Sequence, residues 1–266
     1  MKTFCTLILS VLLIACNNSG DTPETTGDST EVKATTDEAV TAATGKSGAC
    51  SKLIFFQQGA EIEATSYDAA GTEISKQLTK ILEVKNEGGI TVAYVEGVDR
   101  MVNGEAKPPI HYNYKCDGNK IYFDIASMFR TEKKEDDTNF ESGAIEYPIN
   151  VKEGEILPDA TGVMRTEKDG KKMEMKYHFK ERKVEGKEDV TTPAGTWSCY
   201  KISYITEVDL EIPGMDEQSK AMMKKMKGAM KNKTLTWFSP DFGIVKMEMY
   251  MNEKLTSRNE VTSVKK

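Results

Sequence analysis

Five cysteines, two histidines and a methionine-rich stretch are the residues of this 266-residue chain whose chemistry could go beyond packing. Cys5 and Cys16 fall in the N-terminal segment, which leaves Cys50, Cys116 and Cys199 for the body of the protein. Three thiols allow one internal bridge and one leftover. Cys50–Cys116 is the favoured pair, because Cys50 opens the body and a bridge there would pin the segment before it; sequence does not fix connectivity. Cys199 lies inside a strand pattern and reads as a buried, inert thiol. A nucleophilic cysteine needs a base beside it, and neither His111 nor His178 is close to it in sequence. His178 falls on the polar side of its strand, and Glu61 and Glu63 share a strand face as solvated residues do. No HExxH, CxxC, GxSxG or GxGxxG motif is present, nor a phosphate-cradling glycine loop. The expectation is a non-enzyme with no catalytic residue, no metal and no cofactor.

The methionines are the unusual feature. Met222, Met226 and Met230 recur four residues apart, with Met223 beside them and Lys220, Lys224, Lys225, Lys227 and Lys231 interspersed. That spacing predicts one short amphipathic helix within Met215–Lys231, carrying a soft apolar stripe. Three roles compete: a helix packed over the open side of a sheet, a lid or interfacial helix making apolar contacts, and a thioether Cu(I) site. Gly228 weakens such a helix by about 1 kcal/mol relative to Ala, which suits a movable element better than a strut.

Composition limits the rest. With 36 Lys plus Arg against 42 Asp plus Glu the net charge is −6, and an acidic chain lacks the basic face that nucleic-acid binding needs. At the N-terminus, Lys2 precedes an apolar run, Leu7–Ile14, that is too short for the roughly 20 residues of a membrane span. The run ends in Leu13-Ile14-Ala15-Cys16, which resembles the lipobox of bacterial lipoproteins. That resemblance implies a signal peptide over residues 1–15, cleavage before Cys16, and acylation of Cys16 as the membrane anchor. Asn17, where that family often places Asp for inner-membrane retention, implies an outer-membrane protein facing the periplasm.

Residues 16–49 hold almost no large apolar side chain and cannot offset the entropy of ordering, so they read as an acidic Thr/Ala/Ser tether. Within it Asp28-Ser29-Thr30 resembles an O-glycosylation acceptor, with Ser29 as the modified residue; the competing reading is a plain spacer.

Residues 50–266 read as one β domain. Met173-Glu174-Met175-Lys176-Tyr177-His178-Phe179-Lys180 alternates strictly, the period of a strand with one wet face. Gly88-Gly89, Asp117-Gly118, Asp169-Gly170, Pro193-Ala194-Gly195 and Asp241-Phe242-Gly243 supply turns. Roughly ten antiparallel strands follow from these rules, and a sheet of that size must curl, close or be covered. Trp197 and Trp237 read as core anchors, with ligand stacking as the alternative.

Four phrases carry a further resemblance: Gly154–Ala160, Arg182–Glu188, Thr192–Ile202 and Trp237–Glu248. Together they resemble a family of uncharacterised envelope proteins, often labelled TapB-like, with a domain of unknown function. The resemblance implies a single strongly curved antiparallel sheet, a half-barrel shaped like periplasmic lipoprotein carriers, and no catalytic residues. The expected function is binding of an apolar, lipid-like ligand or a partner in the concave face. The alternatives are an interaction lipoprotein with a filled core and, third, a hydrolase. Oligomeric state is not legible.

Overall fold

Alternating side chains and tight turns build thirteen strands into one sheet. The computed structural model describes residues 50–124, 139–141, 143–168, 171–211, 214, 216–218, 221–222 and 232–266. The first strands are β1 (Glu61–Asp68), β2 (Glu73–Glu87), β3 (Ile90–Met101), β4 (Ile110–Cys116) and β5 (Lys120–Asp124). Two short ones follow, β6 (Asn139–Glu141) and β7 (Ala144–Pro148). Then come β8 (Ala160–Lys168), β9 (Lys171–Thr192), β10 (Gly195–Glu211), β11 (Asn232–Ser239), β12 (Gly243–Met251) and β13 (Lys254–Lys265). Ahead of the sheet lie two single 3-10 turns, η1 (Cys50–Lys52) and η2 (Ile54–Phe56). Among the described residues the only α-helical ones are 217–218 and 221–222, within the segment where a short helix was expected.

The strand order is β6-β8-β9-β10-β11-β12-β13-β1-β2-β3-β4-β5-β7, antiparallel between the neighbours. The two edge strands, β6 and β7, are consecutive in the chain with two residues between them. Three Cα steps of 3.8 Å cannot exceed roughly 11 Å, so the two edges are held close together. The curved sheet of the sequence reading is therefore nearly closed, more barrel than half-barrel.

The strands outrun their sequence patterns. β9 has 22 residues and β10 has 17, because the polar run Glu185–Asp189 hides the continuation of β9 past Val184. Irregular register interrupts this long hairpin near Ile202 and Tyr204. There Glu181 adopts a positive φ of 54° and Arg182 turns into the interior.

η1 and η2 plug one end. Cys50 is bonded to Cys116 at the end of β4, and Phe55 meets Tyr114 edge-on at 5.1 Å and Phe242 at 5.9 Å. Gly243 makes this fit: its φ is +120°, and a Cβ there would fall 2.3 Å from the Phe55 ring. From Phe55 an aromatic chain runs through Tyr114, Phe123 and Tyr147 to Phe238. Tyr147 and Phe238 stand on strands far apart in the sheet order, so their stacked contact at 5.4 Å crosses the interior.

Candidate functional site

Residues directly opposite one another on paired strands share a face. Phe238 faces the interior, and its partner Tyr200 begins a same-face series on β10: Ile202, Tyr204, Thr206, Val208 and Leu210. Register carries that face to Phe179, Tyr177 and Met175 on β9, and through β11 to Met247 and Met249 on β12. The interior surface is thus continuous from the plugged end to the opposite one.

Its packing is not. Ile202 and Val184 are fully buried and Tyr204 nearly so. Beyond them Thr206, Val208, Leu210, Phe179, Met175, Met247 and Met249 are only half-buried, and Met251 on the rim is 37 % exposed. Tyr177 is the exception, buried with its hydroxyl donating to Met175 Sδ at 2.6 Å. The arrangement is a cup: a filled floor, and a soft apolar stretch of wall, rich in Met, that is only half-buried. Methionine is flexible and polarizable, so such a wall adapts to an irregular apolar guest.

Tyr147 and Tyr204 lie at the floor, and burial holds both phenols above their usual range, so they stay protonated. Arg182 lies over the Tyr147 ring at 5.4 Å.

A second depression lies on the opposite face, an open groove of about 460 Å³ lined by Glu185, Gly186, Glu188, Lys201 and Lys233 among others. Its two carboxylates are engaged within the protein: Glu185 accepts from Ser203 Oγ at 2.6 Å, and Glu188 accepts from the Trp237 indole N–H.

The residues singled out from sequence do not converge. Cys50 and Cys116 form the disulfide of the plug. Cys199 is a buried free thiol, pushed up to about 12 by burial with Asp189 and Glu188 adding to it, and its Sγ lies 3.5 Å from the Trp197 carbonyl. A thiol so hard to ionise is a poor nucleophile. His178 pairs with Asp209 at 3.3 Å and His111 with Glu96 at 3.6 Å, on strands far apart. Trp237 is buried between Lys201 and Lys246, whose amines lie 5.2 and 4.5 Å from its ring; Trp197 packs on Phe242. Met222 is 66 % exposed. Met223, Met226, Met230, Cys16 and Ser29 lie outside the described residues. Among the described residues no three His, Cys, Asp or Glu side chains gather to hold a metal. Sequence reasoning missed Arg182, Tyr147 and Tyr204; nothing in their spacing marks them, since a backbone irregularity and a cross-barrel contact bring them together.

Fold and site define a nearly closed antiparallel β-barrel with a half-buried apolar stretch on its interior face. The chain belongs to the DUF3108-like family, whose model matches residues 57–261. No curated protein matches it. Among solved structures it is similar to a protein from Bacteroides fragilis described as exported with a YmcC-like fold. Identity is 19 %, coverage 79 % of this chain and 97 % of the other, and TM-score 0.59. It is also similar to a protein from Parabacteroides distasonis described as a lipoprotein, at 20 % identity, 79 % and 98 % coverage, and TM-score 0.60. At these identities the likeness speaks for the fold.

Proposed function

We propose that this protein is a lipid-anchored envelope protein that holds an apolar, lipid-like ligand in the cup. One observation supports the reading above all: the apolar side chains Val208, Leu210, Met247 and Met249 on the interior face are only half-buried, where Val184 and Ile202 on the same face are fully buried. Exposed apolar surface of this kind is costly in water unless something covers it part of the time. The Leu13-Ile14-Ala15-Cys16 lipobox supports acylation of Cys16, and the neighbour described as a lipoprotein is consistent with it. Asn17 favours the outer membrane, Ser29 stands as the glycosylation candidate, and the four phrases favour the TapB-like label. Met222, Met223, Met226 and Met230 are proposed to contact the same ligand or to cover it. The role is non-enzymatic.

The test is native mass spectrometry of the full chain carrying Cys16→Ser, recovered from a periplasm without detergent. A bound species of lipid-like mass, lost on organic extraction, is the expected result. A clean apo mass would overturn the ligand reading and favour the interaction lipoprotein. The anchor has its own check: Cys16→Ala should move the protein from the membrane pellet to the soluble fraction.

A further inference from the structure

At the floor of the cup a buried positive charge has no negative partner among the described residues. Arg182 is 1 % exposed. Its Nη1 donates to the Pro158 carbonyl at 2.7 Å and its Nη2 to the Glu146 carbonyl, and among the described residues no carboxylate pairs with it. Its Nε–H has no acceptor. Thr236 Oγ1, also buried, lies within hydrogen-bonding reach of the Tyr147 and Tyr204 phenols without ideal geometry to either. The third such atom among the described residues, Arg258 Nε, at least faces Glu260 at 3.4 Å. The Arg182 guanidinium and the Thr236, Tyr147 and Tyr204 hydroxyls therefore gather in one nest.

Folded proteins keep few such groups, and each calls for a reason. A buried ion without a counter-ion is costlier still. The backbone is bent to create this one: Glu181, directly before Arg182, holds a left-handed φ of 54° that a non-glycine residue adopts at a cost of about 1–2 kcal/mol. The nest also sits at a boundary. Tyr204 is the last buried residue of its series on β10, and Thr206, Val208 and Leu210 beyond it form the half-buried wall.

We infer that the cup takes a single-chain amphiphile with a carboxylate head, the head seated against Arg182, Thr236 and Tyr204 and the chain lying along the wall. This rests on the ligand-holding reading above. A carboxylate brings one negative charge and two acceptor oxygens, which one guanidinium and a few neutral donors can satisfy. A phosphate dianion would leave charge unbalanced in the same nest. A water molecule would satisfy Nε–H and leave the cation without a partner.

The experiment compares dodecanoate with 1-dodecanol by calorimetric titration of the full chain carrying Cys16→Ser, stripped of bound material. Dodecanoate should bind at least roughly tenfold more tightly, the scale of a hydrogen bond to a charged group. Arg182→Met should abolish that preference; Arg182→Lys should keep part of it. Equal affinity of the wild-type protein for the two compounds would overturn the carboxylate inference and leave the ligand reading standing. Binding of neither would overturn both. The wild-type ratio decides even if Arg182→Met does not fold.

Discussion

Val184 and Met175 stand on one strand and face the same interior, yet the first is fully buried and the second half-buried. The same contrast separates Ile202 from Leu210 on β10, and Val245 from Met249 on β12. At the plugged end the interior is filled from both sides: by the sheet, and by η1 and η2 held through Cys50–Cys116. Toward the other end of the same strands the interior side chains are only half-buried. A curled sheet does not fill itself; what occupies its interior depends on which chain segments are placed inside. The plugged end is a core, and the cup is the half-buried continuation of the same surface.

The largest effect should come from emptying the plugged end. Phe238→Ala removes the ring that stacks on Tyr147 and should cost about 3–5 kcal/mol. Melting by circular dichroism would read this as a fall on the order of 10 °C. A loss below about 1 kcal/mol would break the comparison, since that end would then be loosely filled too. Opening the staple comes next. Cys116→Ser frees η1 and should cost about 2–5 kcal/mol, partly through the entropy of the unlinked chain. Denaturant titration with and without reductant checks it, and only the wild-type protein should respond to reductant.

Alkali should act on the plugged end as well. The Cys199 thiol moves from the usual 9.0 to about 12 on folding, so above pH 9 the unfolded chain loses a proton that the native state keeps. Stability should then fall between pH 9 and about 12, at no more than about 1.4 kcal/mol per pH unit for this group. The buried phenols Tyr147 and Tyr204, also raised, push the same way. Denaturation midpoints taken across that range test the sign; a midpoint that rises with pH would contradict it. The smallest stability effect belongs to the cup. Met249→Gln should change stability by less than about 1 kcal/mol, because the side chain is already partly in water, and should weaken binding of an apolar probe. A loss of several kcal/mol would show that this end, too, is core.

How much of this was legible varies by element. The hairpin turns at Gly88-Gly89, Asp117-Gly118, Pro193-Ala194 and Asp241-Phe242 were legible, because Gly, Pro and Asp set backbone angles locally. The break at Asn252-Glu253 was legible as well, though of its two positive φ values, 49° and 63°, only the one on Asn252 falls on a residue type that favours it. β6 and β7, of three and five residues, are too short for a period to register. The second half of β9 was masked by its charges. The site was less legible than the fold. Alternation placed Met175, Tyr177 and Phe179 on one face, but which end of that face stays uncovered depends on where η1 and η2 sit.

The sequence by itself determined what depends on near neighbours: strand period, turn positions, an acidic balance hostile to nucleic acid, and a lipobox-like N-terminus read from a few adjacent residues. The tertiary structure alone decided what depends on distant ones. It joined the two edges of the sheet, set Tyr147 against Phe238, and left Arg182 inside with no counter-charge among the described residues. The physical reason is that a pattern of side chains specifies a face. Whether that face becomes a core or a cup is set by the volume enclosed when the sheet curls, and by which segments of the chain are available to fill it.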